Sequence, residues 1–96
     1  MKKYYFNNIL IRKSNNDYAY AVGCIIGDKF KVFGCHRNLA LAKTRFIETK
    51  RALERNYKSW ATPDAIAYFG DTVCAKKFIR IKFQFDNLMI IKLEVK

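Results

Sequence analysis

Acidic residues and long hydrophobic runs are both scarce in this sequence. Eight Asp and Glu residues oppose nineteen Lys and Arg residues, so the formal net charge is +11. No apolar run approaches the roughly 18 residues that a membrane-spanning helix needs. The N-terminal segment begins with two lysines, but Asn7-Asn8 and Arg12 interrupt its apolar part, unlike a signal peptide. The sequence therefore predicts a soluble, unexported protein of the cytoplasm with no membrane partner.

Residues that hold metals or disulfides are scarce as well. The chain has three cysteines, Cys24, Cys35 and Cys74, and one histidine, His36. An odd number of cysteines without framework spacing indicates reduced thiols, and structural zinc sites normally use closely spaced cysteine pairs. Because neighbours on a strand point to opposite faces, Cys35 and His36 are poorly placed as nucleophile and base. We predict no catalytic residue, metal site or cofactor, although the sequence leaves open whether these four residues converge.

The excess of positive charge is the most informative total. Such an excess repels itself in a compact domain, and its usual reason is a polyanionic partner such as DNA, RNA or a nucleoprotein complex. An acidic protein surface and an inert basic surface are the alternatives. The RNP aromatic pattern, the KH loop and zinc-finger spacing are all missing, so the sequence indicates a polyanion without distinguishing DNA from RNA.

The longest periodic segment, residues 38–60, predicts the principal helix. Asn38 suits the N-cap position, and Pro63 disfavours helix in the residue before it. Apolar and aromatic side chains recur three or four residues apart, which is typical of an amphipathic helix that packs on another element. The residues of this stripe are Leu39, Ala42, Phe46, Thr49, Leu53, Tyr57 and Trp60.

The segments on either side of this helix are mostly typical of strands. Thr62 and Pro63 predict the start of a short second helix that ends at Gly70. Strands are predicted over residues 3–12, 17–26, 29–35, 76–85 and 88–95, the last two joined by a turn at Asp86-Asn87. The order βββ-α-short α-ββ predicts an α+β fold in which one long helix covers one face of an antiparallel sheet. We expect residues 1–96 to form a single compact domain.

Basic residues concentrate on the predicted helix and on the last hairpin. At about 100° per residue, Arg51, Arg55 and Lys58 form one row on the helix. In the predicted strand 76–85, basic residues alternate with apolar ones, and Phe78 shares their face, a pattern that suits phosphate contact and base stacking. The alternative for the basic row on the helix is an ordinary solvated face. The alternative for Phe78 is a residue at the edge of the core. The predicted binding residues are Arg37, Lys43, Lys50, Arg51, Arg55, Lys58, Lys76, Lys77, Phe78, Arg80 and Lys82.

Two nuclease patterns are present in part. Pro63-Asp64 with Glu94-Val95-Lys96 matches the loose PD…ExK pattern, in which two carboxylates hold Mg²⁺ and a lysine lies near the attacked phosphate. A second set also resembles the hairpin-into-helix opening and a later segment of the GIY-YIG nuclease domain; it comprises Tyr20-Ala21-Val22, Val32-Phe33-Gly34, Asn38-Leu39, Arg45 and Ala65–Gly70.

This second resemblance covers about residues 18–85 and departs from the family's motifs at three points. The first triplet lacks the glycine and the isoleucine, Phe33 replaces the tyrosine of the second motif, and no later predicted helix supplies the metal-binding glutamate. The resemblance therefore implies an inactive relative.

We favour a small basic non-enzymatic binding protein that engages nucleic acid or a nucleoprotein machine. Its Lys, Ile, Asn, Phe and Tyr content implies AT-rich codons, which fits a phage or mobile-element product acting in the host cytoplasm. One such role is inhibition of a host defence effector, by analogy with anti-CRISPR proteins, which this chain resembles in size and character. The alternatives are a protein–protein inhibitor or structural subunit on an acidic protein surface, and a minimal or degenerate nuclease. In the protein-binding alternative, Tyr4, Tyr5, Phe6 or Trp60 would be anchors.

Overall fold

The computed structural model describes all 96 residues and confirms an α+β fold. Its elements are β1 (Lys2–Phe6), β2 (Ile9–Ser14), β3 (Tyr20–Ile26), β4 (Lys29–His36), α1 (Leu39–Ser59), α2 (Pro63–Phe69), α3 (Asp71–Asp86), β5 (Met89–Lys92) and β6 (Glu94–Val95). The strands form two three-stranded antiparallel sheets, ordered β2-β1-β6 and β4-β3-β5. None of the three helices combines the length and the apolar character that crossing a membrane requires.

The chain divides into two compact units, and the boundary falls inside α1. The first unit comprises Met1–Ile47 and Leu88–Lys96, which include both sheets and the first half of α1. The second unit comprises Glu48–Asn87, which includes the second half of α1 and all of α2 and α3.

Both sheets contribute to the core of the first unit. One cluster of buried side chains contains Tyr4 of β1, Ala21 of β3, Ile91 of β5 and Leu93, which lies between β5 and β6. The sheets are further joined because β5 pairs with β3 while β6, two residues later, pairs with β1. One short C-terminal segment therefore contributes a strand to each sheet.

The hydroxyl group of Tyr4 organises the loop that leads into β3. Tyr4 is 1% exposed, and its hydroxyl donates to the backbone carbonyl of Asn16 while accepting from the backbone N–H of Tyr18 at 3.1 Å. Immediately after this loop, the N–H of Leu93 donates to the carbonyl of Ala19 at 2.8 Å. A buried hydroxyl needs such partners, since an unpaired polar group in a core is costly.

The predicted helices at residues 38–60 and 62–70 are confirmed. The side chain of Asn38 accepts from the N–H of Leu41 at 2.9 Å, and the Thr62 hydroxyl accepts from the N–H of Ala65 at 3.3 Å. Both contacts are N-caps, which satisfy first-turn donors that have no partner within the helix. The short helix ends before Gly70, whose φ of 90° lies in a region that favours glycine.

The predicted strand at residues 76–85 is wrong, because this segment belongs to α3. Its alternation of apolar and basic side chains resembles a strand, but the residues that are buried or half-buried in the structure follow a helical period. They include Cys74, Phe78, Ile81 and Phe85. The helix places Phe78 and Phe85, two turns apart, at 5.3 Å from the ring of Tyr57. Packing on α1 therefore overrides the β propensity of Phe and Ile.

The connections at residues 7–8 and 86–87 also differ from the predictions. Asn7 and Asn8, predicted as part of one strand, have φ values of 48° and 66° and form the turn between β1 and β2. Asn87, predicted in a hairpin turn, ends α3, since its backbone N–H donates to the carbonyl of Phe83 at 3.0 Å. The final predicted strand is divided between two sheets, so the structure has two sheets where we predicted one.

We predict that Tyr4→Phe lowers the free energy of unfolding by about 1–3 kcal/mol, because it leaves a carbonyl and an N–H of the loop without their partner. Urea denaturation followed by circular dichroism measures this loss. Tyr5→Phe is the matched control, because Tyr5 lies on the opposite face of β1 and is partly exposed. Equal losses in both variants would contradict the role of the Tyr4 hydroxyl.

Candidate nucleic-acid interface

Most of the predicted binding residues lie in the second unit, on α1 and α3. The exceptions are Arg37, which precedes α1, and Lys43, in the first half of α1. Both are exposed residues of the first unit. Because residues 76–85 are helical, the predicted basic strip on a sheet face does not exist, and those side chains radiate from α3 instead.

Several predicted binding residues are engaged within the second unit. The Nζ of Lys50 donates to the carbonyl of Phe85 at 2.6 Å and lies 4.1 Å from the centre of that residue's ring. Phe78 is half-buried with its ring edge-on to Tyr57, so it is not the exposed stacking aromatic that we predicted. Lys77 lies 5.6 Å from the Trp60 ring. These contacts stabilise the packing of the helices.

Two further predicted cations form ion pairs on their own helices. Lys58 donates to Glu54 at 2.6 Å, and Lys82 donates to both carboxylate oxygens of Asp86 at 2.8 and 2.9 Å. The hydrogen bond from Lys58 lowers the pKa of Glu54 and raises that of Lys58, and the bond to Asp86 raises the pKa of Lys82. Both pairs are four residues apart on a helix, where such pairs are common and weak.

The remaining predicted cations of the second unit are exposed and form no ion pair. They are Arg51 and Arg55 on α1 and Lys76 and Arg80 on α3, and we call these four residues the helix cations. Within each helix the two cations are four residues apart, so they project from the same face. Arginine and lysine on exposed helix faces are the side chains that contact phosphate groups in protein–nucleic acid complexes.

Exposed apolar residues of α3 accompany its two helix cations. Ile79 is 67% exposed and Phe83 is 46% exposed. The predicted strand over residues 76–85 would place both residues on the face opposite Arg80 and Lys82, because side chains alternate along a strand. On the helix, Ile79 and Phe83 are each three residues after a helix cation, Lys76 and Arg80 respectively, so all four lie on neighbouring parts of one face. The exposed aromatic of this segment is therefore Phe83.

Arg37 lines a polar cavity of about 440 Å³ in the first unit. The other lining residues belong to the loop that the Tyr4 hydroxyl organises, and they include Asn16, Asp17 and Tyr18. The hydrogen bond from the Asn16 side chain lowers the pKa of the Tyr18 hydroxyl, while Lys2 forms an ion pair with Asp17. The side chains of Asn16, Asp17 and Tyr18 therefore already have partners within the first unit.

The excess charge is larger in the first unit, where sequence reasoning placed few binding residues. That unit contains eleven basic residues against three acidic ones, a net charge of +8, whereas the second unit contains eight against five, a net charge of +3. The strands carry much of this charge, and its arrangement depends on strand pairing. Helical periodicity could not have identified it, because the pairing brings together residues distant in sequence.

Cysteine, histidine and acidic side chains do not assemble into a metal site. No group of three or more of them is close enough to hold an ion. Burial raises the pKa values of the Cys24 and Cys35 thiols. It also lowers the pKa of His36, with a smaller contribution from Arg45, and the Nε2 atom of His36 is buried without a hydrogen-bond partner.

The structure agrees with the GIY-YIG resemblance only in the first part, where a hairpin leads into a helix. The β3–β4 hairpin leads into α1 as that resemblance implies, but Ala65–Gly70 leads into α3 rather than into a strand. The structure does contain a later helix, although its acidic residues are Asp71 and Asp86 and it has no glutamate. No family model, curated protein or solved structure matches the chain. These comparisons therefore assign no family to it.

We predict that Lys50→Met lowers the free energy of unfolding by about 1 kcal/mol, because it removes a hydrogen bond to a carbonyl in the last turn of α3. Arg51→Met, the matched control from the adjacent exposed position, is expected to change stability by less than about 0.5 kcal/mol. Urea denaturation compares the two variants. A loss at Arg51 as large as that at Lys50 would show that the exposed cation is structural.

Proposed function

We propose that this chain is a small non-enzymatic binding protein that engages nucleic acid or a nucleoprotein machine through exposed basic side chains. The observation that carries the proposal is the set of four helix cations, which project from α1 and α3 without an acidic partner in a chain of net charge +11. Cations that neutralise phosphates release condensed counterions, and this release drives binding of any nucleic-acid sequence.

The surrounding contacts divide the basic residues into those that stabilise the fold and those that are available to a partner. Lys50, Lys58 and Lys82 are engaged within the second unit by a backbone carbonyl or by carboxylates. The helix cations make no such contact, so binding a polyanion would cost them no ion pair. This difference favours a surface that is available for recognition over a basic surface whose charge is used to stabilise the fold.

We also propose, in general terms, the biological setting in which this chain acts. A small basic chain rich in Lys, Ile, Asn, Phe and Tyr, whose codons are AT-rich, fits a phage or mobile-element product that acts in the host cytoplasm. Inhibition of a host defence effector that handles nucleic acid, in the manner of anti-CRISPR proteins, would use the same basic surface. Size, composition and charge support this step, and it rests on no motif.

A second candidate is a protein–protein inhibitor or structural subunit that docks on an acidic protein surface. The exposed Ile79 and Phe83 beside Lys76 and Arg80 favour it, because apolar anchors ringed by charge are typical of protein interfaces. Of the anchors expected from the sequence, Tyr4 is wrong, since it is 1% exposed and belongs to the core. Ile79 and Phe83 are better placed for that role.

Fluorescence anisotropy with labelled single- and double-stranded DNA and RNA tests the proposed function. If the helix cations make four phosphate contacts, raising the salt concentration from about 50 to about 200 mM weakens binding about a hundredfold. Absence of binding to every probe at low salt would contradict nucleic-acid binding and favour the protein partner. Cleavage of a probe in Mg²⁺ would contradict the non-enzymatic assignment, and Asp64→Ala and Glu94→Ala would then test the nuclease alternative.

We predict that reversing Arg51 and Arg55 to glutamate weakens nucleic-acid binding at least tenfold and reduces the salt slope by about 2, with little change in melting temperature. Lys58 is left intact because its reversal would break the ion pair with Glu54. The matched control reverses Lys29 and Lys92, two exposed residues of the first unit, and changes the net charge equally. Equal loss in both double variants would contradict a site on α1.

A further inference from the structure

Three lysines lie in a row on the outer face of the β2-β1-β6 sheet. Lys3 of β1 is paired directly with Lys13 of β2, and both are exposed. Side chains alternate along a strand, and the neighbour Tyr4 is buried in the core, so Lys3 and Lys13 point away from it. Directly opposed residues of an antiparallel pair project on the same side.

Lys96 extends the row to the third strand. Its backbone N–H donates to the carbonyl of Lys3 at 3.0 Å, which continues the pairing of β6 with β1. Its Nζ lies 5.2 Å from the centre of the Tyr5 ring and donates to the side chain of Asn8 at 3.3 Å. Since Tyr5 and Lys3 share one face of β1, the Lys96 ammonium lies on the same outer face. We call Lys13, Lys3 and Lys96 the lysine row.

The lysine row is unfavourable for the isolated protein. Like charges placed directly opposite on neighbouring strands destabilise a sheet. Glu94, the acidic residue of β6, is paired with Tyr5 and forms no ion pair with any of the three lysines. Lys2, on the other face of β1, shows the contrast, because it does have an acidic partner in Asp17.

We propose that the lysine row binds the phosphate backbone of nucleic acid, a proposal that rests on the function proposed above and assigns it a second surface. Adjacent strands are about 4.8 Å apart, so the backbone positions of the three lysines span about 10 Å, and their flexible side chains can reach neighbouring phosphates. This density of positive charge suits consecutive phosphates better than it suits a single carboxylate. Contacts to phosphates carry no sequence information, so binding at this face is expected to be independent of base sequence.

The test is Lys13→Glu, which affects binding and folding in opposite directions. Removing one phosphate contact and introducing a negative charge weakens binding to labelled DNA or RNA about tenfold at about 100 mM salt. It also reduces the salt slope by about 1. The new carboxylate faces Lys3 across the strands, so the urea midpoint of unfolding stays equal or rises. A merely structural role for Lys13 would lower the midpoint and leave the salt slope unchanged.

Lys29→Glu is the matched control, because it makes the same charge change at an exposed position of β4, in the other sheet. Equal weakening by Lys13→Glu and Lys29→Glu would show that only net charge matters and would overturn the row as a site. Unchanged binding by Lys13→Glu, with the wild-type protein binding normally, would also overturn it and leave the proposed function standing. A wild-type protein that binds no probe would overturn both.

A second variant, Lys3→Gln with Lys13→Gln, keeps the proposal testable if a glutamate at position 13 disturbs the sheet. It removes two charges without adding one and relieves the repulsion between the paired lysines. We expect the salt slope to fall by about 2 and the loss of affinity to be similar for different base sequences. An unchanged salt slope in this variant would overturn the lysine row.

Discussion

The buried hydroxyl of Tyr4 is the constraint on which the first unit depends. Its ring packs with Ala21, Ile91 and Leu93 between the two sheets, so the residue cannot turn its hydroxyl to solvent. The loop before β3 must therefore supply both a donor and an acceptor, which Tyr18 and Asn16 do. This requirement holds the loop before β3 against the Tyr4 side chain. It also forces the alternate residues of β1, including Lys3, onto the outer face.

A different constraint organises the second unit, where aromatic rings and lysines share the space between α1 and α3. Tyr57 contacts Phe78 and Phe85 edge-on, while Lys50 and Lys82 lie over the Phe85 ring. The lysine stems can pack against these rings while their ammonium groups reach a carbonyl or a carboxylate. Basic residues thus have two roles here, and a count of charges along the sequence cannot separate them.

Patterns among residues close in sequence predicted much of the fold. The errors occur where contacts between residues distant in sequence decide the structure. The stripe along α1 and the caps at Asn38 and Thr62 depend on residues within a few positions of one another, so the sequence contained them in full. Residues 76–85 have a strand-like alternation, whereas in the structure they form a helix that packs Phe78 and Phe85 on the Tyr57 ring of α1. The predicted site suffered the same error, because it exchanged the environments of Phe78 and Phe83.

The sequence pattern does not predict the pairing of Lys3 with Lys13 either. This pairing depends on a turn at Asn7-Asn8, which the pattern predicts as part of a strand. Once that turn is known, repulsion between the two lysines follows from the register alone. Exposed cations without acidic partners then occur in both units, on helices in one and on a sheet in the other. In the function proposed above, each set of cations contacts phosphates by itself and needs no pocket that selects a small ligand. Contacts of that kind add their counterion release without requiring any particular base, which explains how a chain lacking a recognisable nucleic-acid motif could still bind nucleic acid.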